Sequence, residues 1–139
     1  MNTVFYESPT TILIADNDDE TRGLIKAVLI WKGFEVLEAT DGEEAFTLAV
    51  ERHPALLVID LKLPVVSGIR VIRKLRTAGI PHVPIIATSL SAPTTHGSIA
   101  LAAGCVAHIE KPIEPDQLDE LLDRFLPGEQ ANLVSGLVH

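Results

Sequence analysis

Cysteine occurs once in the 139 residues, at Cys105, so no disulfide can form within the chain. That usage suits a reducing compartment, and the neighbours Gly104, Val106 and Ala107 predict a buried structural thiol. Cations are the scarcer charge. Eleven Lys and Arg face nineteen Asp and Glu, a net charge of −8. Such a balance disfavours direct binding of nucleic acid, whose phosphates need a basic face, and suits partners with basic or apolar patches. No apolar run approaches the ~18 residues of a membrane span. The start, Met1 to Glu7, lacks the basic and apolar regions of a signal peptide. His53, His82, His96 and His139 have no metal-ligand spacing, so zinc is not expected. These absences predict a cytoplasmic protein without membrane contact.

What is present is a core-forming sequence, 47% hydrophobic and long enough for one domain. Five short apolar runs begin at Ile12, Phe34, Leu56, Val83 and Val106, with helical patterns between them. Runs this short and apolar predict strands buried on both faces of a parallel sheet, the more polar second run lying nearer an edge. Asp19 and Glu20 suit the start of a first helix, with Leu24, Ala27, Val28 and Trp31 as its inward stripe and Gly33 after its end. Asp41-Gly42 precedes the second helix, Pro54 terminates it, and Ser67-Gly68 precedes the third. Pro115 opens the fifth, whose Leu118, Leu121, Leu122 and Phe125 are spaced for one face. The fourth is the weakest. Residues 91–98 hold Pro93, Gly97 and four hydroxyl side chains, so the helical pattern is clear only from Ile99 to Ala103. Five βα units with right-handed crossovers give an α/β, doubly wound, five-stranded parallel sheet. The domain is expected over residues 10–126, with tails at 1–9 and 127–139.

In such sheets functional groups collect beyond the carboxyl ends of the strands. There the chain places Asp16 and Asn17, then Asp60, then Thr88 and Ser89, then Glu110 and Lys111. Carboxylates, a hydroxyl and a lysine converging from different strands suit a divalent cation and a phosphoryl group. Taken alone, Asp60 could cap the following turn, and Asp18, Asp19 and Glu20 read as a helix-start cluster.

Five ordered segments resemble the receiver domains of two-component response regulators over roughly residues 10 to 126. They are Ile12 to Asn17, Ala39 to Ala45, Leu57 to Gly68, Pro84 to Ser89 and Ile109 to Pro112. The resemblance implies a flavodoxin-like (βα)5 fold with strand order 2-1-3-4-5. It implies Asp60 as phosphoacceptor, with Mg²⁺ held by Asp60, Asn17 and the Lys62 carbonyl and with Asp16 holding a metal-bound water. Lys111 would pair with Asp60 and then with the phosphoryl group. Ser89, chosen over Thr88 by its spacing from Pro84 and Lys111, would be the hydroxyl switch residue. Lys111-Pro112 would be a cis bond. A histidine kinase or phosphotransfer protein would be the donor, and the face of the fourth helix, fifth strand and fifth helix would carry the signal. The chain would then be no ordinary enzyme, catalysing only its own phosphoryl transfer and loss.

Three positions depart from the family's pattern. Asn17 replaces an acid, Leu90 stands where a small residue usually follows the switch hydroxyl, and His108 occupies the aromatic switch position. Asn17 and Leu90 sustain an alternative, a degenerate receiver acting as an unphosphorylated scaffold. A phosphohydrolase would need a second aspartate two residues after Asp60, where this chain has Lys62. Uncharged residues 91–103 beside Asp116, Asp119, Glu120 and Asp123 also leave a salt-bridged dimer through the fourth and fifth helices without its basic half.

Overall fold

A computed structural model describes residues 9–78, 80, 82–90 and 95–126. Of the expected tails at 1–9 and 127–139, all but Pro9 lie outside the described residues, as does the polar segment 91–94. Five strands alternate with five helices: β1 (Thr11–Ala15), α1 (Asp19–Trp31), β2 (Glu35–Ala39), α2 (Gly42–Arg52), β3 (Leu56–Asp60), α3 (Gly68–Thr77), β4 (Ile85–Ser89), α4 (Thr95–Ala103), β5 (Ala107–Glu110) and α5 (Pro115–Phe125). The strands form one parallel sheet in the order β2-β1-β3-β4-β5. The polar second run is indeed an edge strand.

Strand alternation divides the core into two layers. Leu13 and Ala15 of β1 pack with Leu57 and Ile59 toward α2, α3 and α4. Ile12 and Ile14 pack with Leu56 and Val58 toward Ile25 and Leu29 of α1 and Leu118, Leu121 and Leu122 of α5. Each buried Leu or Ile contributes roughly 1.5–3 kcal/mol of transfer free energy, so a sheet apolar on both faces needs helices on both. Cys105 is buried as expected, and burial pushes its thiol up to about 12.

The helix starts follow their side chains. Asp18, Asp41 and Ser67 each accept a hydrogen bond from a backbone N–H in the first turn of α1, α2 and α3. Gly33 adopts φ +94° just past α1 and Pro115 sits in the first turn of α5.

Two expectations need correction. The inward face of α1 is Ile25, Val28 and Leu29, whereas Leu24 and Trp31 are 37% and 83% exposed. From Leu24 to Trp31 every residue except Lys26 is apolar, so spacing alone does not fix which way the helix faces. The helix α4 begins at Thr95, four residues before Ile99. Tertiary packing of Ala100 outweighs the poor local propensity there.

Gly23 lies inside α1 on its exposed side, and a Cβ added there would meet nothing within 4 Å. Gly23→Ala should therefore stabilise the domain by about 1 kcal/mol, through helix propensity alone. Thermal melting should rise by about 3–5 °C; no rise would mean that α1 is not a continuous helix in solution.

Candidate phosphoacceptor site

Four strand ends, those of β1, β3, β4 and β5, meet at one cleft of about 720 Å³, lined among others by Asn17, Asp60, Lys62, Ser89, Leu90 and Lys111. Asp60 is the last residue of β3 and Ser89 the last of β4, so both leave the sheet on the same edge. Asp60 follows four buried apolar residues, which leaves its place at the strand end unambiguous.

Lys111 joins the carboxylates. Its Nζ donates to Asp60 Oδ2 at 3.0 Å and lies 2.9 Å from Asp16 Oδ2. The second contact is one of charge more than of hydrogen-bond angle, since Asp16 Oδ2 has no well-oriented donor. Burial works against the Lys111 charge, but its bonds to Asp16 and Asp60 prevail and raise its pKa. Asp16 is 1% exposed, and that burial raises its carboxyl above the ordinary 3.8 despite help from the Asp18 N–H and Lys111. Asp60 Oδ1 accepts the Lys62 N–H at 2.9 Å, and Lys62 itself is exposed at the cleft. The Lys111-Pro112 peptide is cis, as expected.

The loop after Asp60 is held tightly. Gly68 N–H donates to the Leu61 carbonyl at 3.0 Å, and Gly42 N–H to the Pro64 carbonyl at 3.1 Å. Val66 N–H reaches back to Pro64 at 2.8 Å across Val65, whose φ of +70° marks the rarer, strained form of γ-turn.

Ser89 and Thr88 separate cleanly. Ser89 lines the cleft and its Oγ is 2.7 Å from His108 Nε2. Thr88 is fully buried on the opposite side of β4, its hydroxyl without a hydrogen-bond partner. Leu90 is 64% exposed at the cleft rim, so it narrows the mouth without filling it. Asn17 is exposed and Asp18 caps α1 through Thr21, which lowers its pKa.

Arg22 is a member of the site that sequence reasoning missed. It donates to the Asp16 carbonyl at 2.9 Å while also paired with Asp19 and Glu38. The Asp19 pair is local, at i,i+3, but Glu38 arrives only through the pairing of β1 with β2.

The donor set suits a hard cation that prefers oxygen. Asp16 Oδ2 is a buried carboxylate oxygen short of donors beside Asp60, and Asn17 and Lys62 line the same cleft. Among the described residues no three His, Cys, Asp or Glu side chains gather as a metal site.

The profile of the response regulator receiver domain family matches residues 12–123. The transcriptional regulatory protein SrrA of Staphylococcus aureus is 36% identical over 123 residues, covering 88% of this chain and half of its own length. The chain thus spans half the length of such relatives. The receiver domain of Francisella response regulator 1452 superposes with TM-score 0.78 at 28% identity, covering 85% of this chain and 96% of its own. In fold alone, the Saccharomyces cerevisiae Ssk1 receiver domain, solved with the histidine phosphotransfer protein Ypd1, is similar at TM-score 0.78 and 23% identity, over 84% and 89% of the two chains. No helix among the described residues is long and apolar enough to cross a membrane. Profile, relatives, strand order and the cluster at the strand ends agree: the chain belongs to the response regulator receiver domain family.

Proposed function

We propose that this receiver domain is a phosphorylation-dependent switch that accepts a phosphoryl group on Asp60. The observation that carries it is Lys111, whose ammonium bridges Asp16 and Asp60 at the mouth of an open cleft. An Asp60 oxygen attacks phosphorus in line, forming an O–P bond. The P–N bond of a phosphohistidine, or the P–O bond of acetyl phosphate, breaks as that bond forms. Lys111 can neutralise charge on the transferring group, and Ser89 can donate to one of its oxygens. Asp16, Asn17, Asp60 and the Lys62 carbonyl are the residues that would hold Mg²⁺, directly or through water. When bound, Mg²⁺ supplies charge neutralisation at the phosphoryl oxygens. Intact mass after incubation with acetyl phosphate and Mg²⁺ tests the assignment.

The donor is a histidine kinase or phosphotransfer protein in the cytoplasm, the kind of partner Ssk1 has in its complex. Output passes to a protein partner through the face of α4, β5 and α5, without nucleic acid or membrane contact by this domain. Leu101 and Val106 are exposed near that face, and it carries acidic Asp116 and Glu120. Asp119 and Asp123 are already engaged by Lys32 of α1, which leaves less acidic charge for a salt-bridged dimer. The domain itself is taken as residues 10–126, with the flanking segments as tails.

Asn17→Asp should tighten Mg²⁺ binding about tenfold. Coulomb attraction of about 4 kcal/mol per unit-charge pair at ~4 Å and an effective dielectric of ~20, doubled for a divalent ion, sets the ceiling. Solvent at exposed position 17 reduces it. Calorimetric titration is the readout rather than tryptophan fluorescence, because Trp31, the one tryptophan, lies twelve residues along α1, about 18 Å from the helix start. Equal affinity in the two proteins would remove Asn17 from the metal site.

A further inference from the structure

The family's switch position holds His108, and the structure shows what this side chain touches. In the β4–β5 register His108 faces Ala87 and Ser89 faces Glu110, so His108 and Ser89 are diagonal neighbours on one sheet face. Their contact is direct, 2.7 Å from Nε2 to Oγ. The ring lies beneath α4 at Gly97, where a Cβ would come within 3.4 Å of Nδ1 and 3.7 Å of Cγ. Those are ordinary contact distances, so the ring packs close against the α4 backbone at this glycine.

A serine hydroxyl has one proton to donate, and a neutral imidazole carries one proton on either nitrogen. If Nε2 is bare, Ser89 spends its proton on His108 and has none for a phosphoryl oxygen. If Nε2 is protonated, Ser89 accepts from it and its own proton is free.

We propose that His108 is a positioning residue acting through Ser89: its Nε2–H donates to Ser89 Oγ and aims the hydroxyl proton at the phosphoryl group on Asp60. The relay runs from the ring to the hydroxyl to the phosphoryl oxygen, so phosphorylation selects one imidazole tautomer. Conversely, His108 senses the phosphoryl group without leaving its place under α4. Hydrogen bonds in such a chain polarise one another, which makes the coupling larger than a packing contact would give. This inference rests on the phosphoacceptor reading of Asp60 above.

Beryllofluoride with Mg²⁺ serves as the phosphoryl mimic, its binding followed by calorimetry. His108→Phe keeps an aromatic ring but lacks Nε2 and should weaken binding about five- to tenfold. His108→Gln retains an N–H donor at similar reach and should stay within about twofold of the natural protein. In a Ser89→Ala background, His108→Phe should have no further effect. Imidazole nitrogen shifts should report Nε2–H in the beryllofluoride complex, a readout independent of the variants' stability. Equal binding by His108→Phe, an equal loss in the Ser89→Ala background, no rescue by Gln, or a bare Nε2 in the complex would each overturn the relay. Absence of beryllofluoride binding by the natural protein would instead fell the phosphoacceptor reading, and the relay with it.

Discussion

Asp60→Asn should abolish the phosphoryl adduct that acetyl phosphate and Mg²⁺ leave on the natural protein. An amide is a poor nucleophile at phosphorus, and Asp60 is the one carboxylate that both lines the cleft and is hydrogen-bonded to Lys111 there. Asp16 is no substitute, since it is 1% exposed beside the cleft and absent from its lining. The fold should survive the change. Lys111 keeps Asp16 as a partner, and loss of the Asp60 charge removes one of the influences that raise the Asp16 pKa. Thermal melting should therefore stay within a few degrees while the adduct disappears. A chelator should have the same effect on the natural protein. An adduct persisting in Asp60→Asn would move the acceptor elsewhere, and a natural protein with no adduct would favour the unphosphorylated scaffold.

Gly68→Ala carries a large expected cost to the fold. A Cβ at position 68 would lie 2.2 Å from the Asp60 carbonyl oxygen and 2.7 Å from Leu61 Cα. Both are backbone atoms, so no rotamer change can relieve the clash. Either the first turn of α3 moves, losing the Ser67 cap, or the Asp60–Leu61 backbone moves, losing the Leu61 and Lys62 hydrogen bonds. We expect a loss of about 2–4 kcal/mol, read from the urea midpoint at unchanged slope. Phosphorylation of the folded fraction should fall as well, since a displacement of about 1 Å at a reacting group can cost around a hundredfold. Gly23→Ala, the same substitution in open space, should shift stability in the opposite direction. An unchanged midpoint in Gly68→Ala would mean that the close approach of α3 to Asp60 is absent in solution.

Much of the fold was legible because burial on both faces of a parallel sheet leaves a strong mark. Leu56 to Ile59 is apolar without interruption for this reason, and Asp60 stands out at its end. The helix starts at Asp41, Ser67 and Pro115 were legible too, since the preferences there come from backbone groups within one turn. The inward face of α1 was not. Apolar residues surround most of that helix, and only docking against β1 and α5 selects Ile25 and Leu29 over Leu24 and Trp31.

By itself the sequence determined the order of elements, the residues at the strand ends and the departures at Asn17, Leu90 and His108. The first two follow from hydrophobic periodicity and residue type, which are local; the departures are legible only against the pattern of the receiver family that the sequence resembles. Tertiary structure alone decided which of those residues touch. Lys111 meets Asp60 across 51 positions, Arg22 meets Glu38 across 16, and Ser89 meets His108 across 19. Contacts at such separations depend on strand pairing and register, set cooperatively by the whole core, so no local stretch of the chain encodes them.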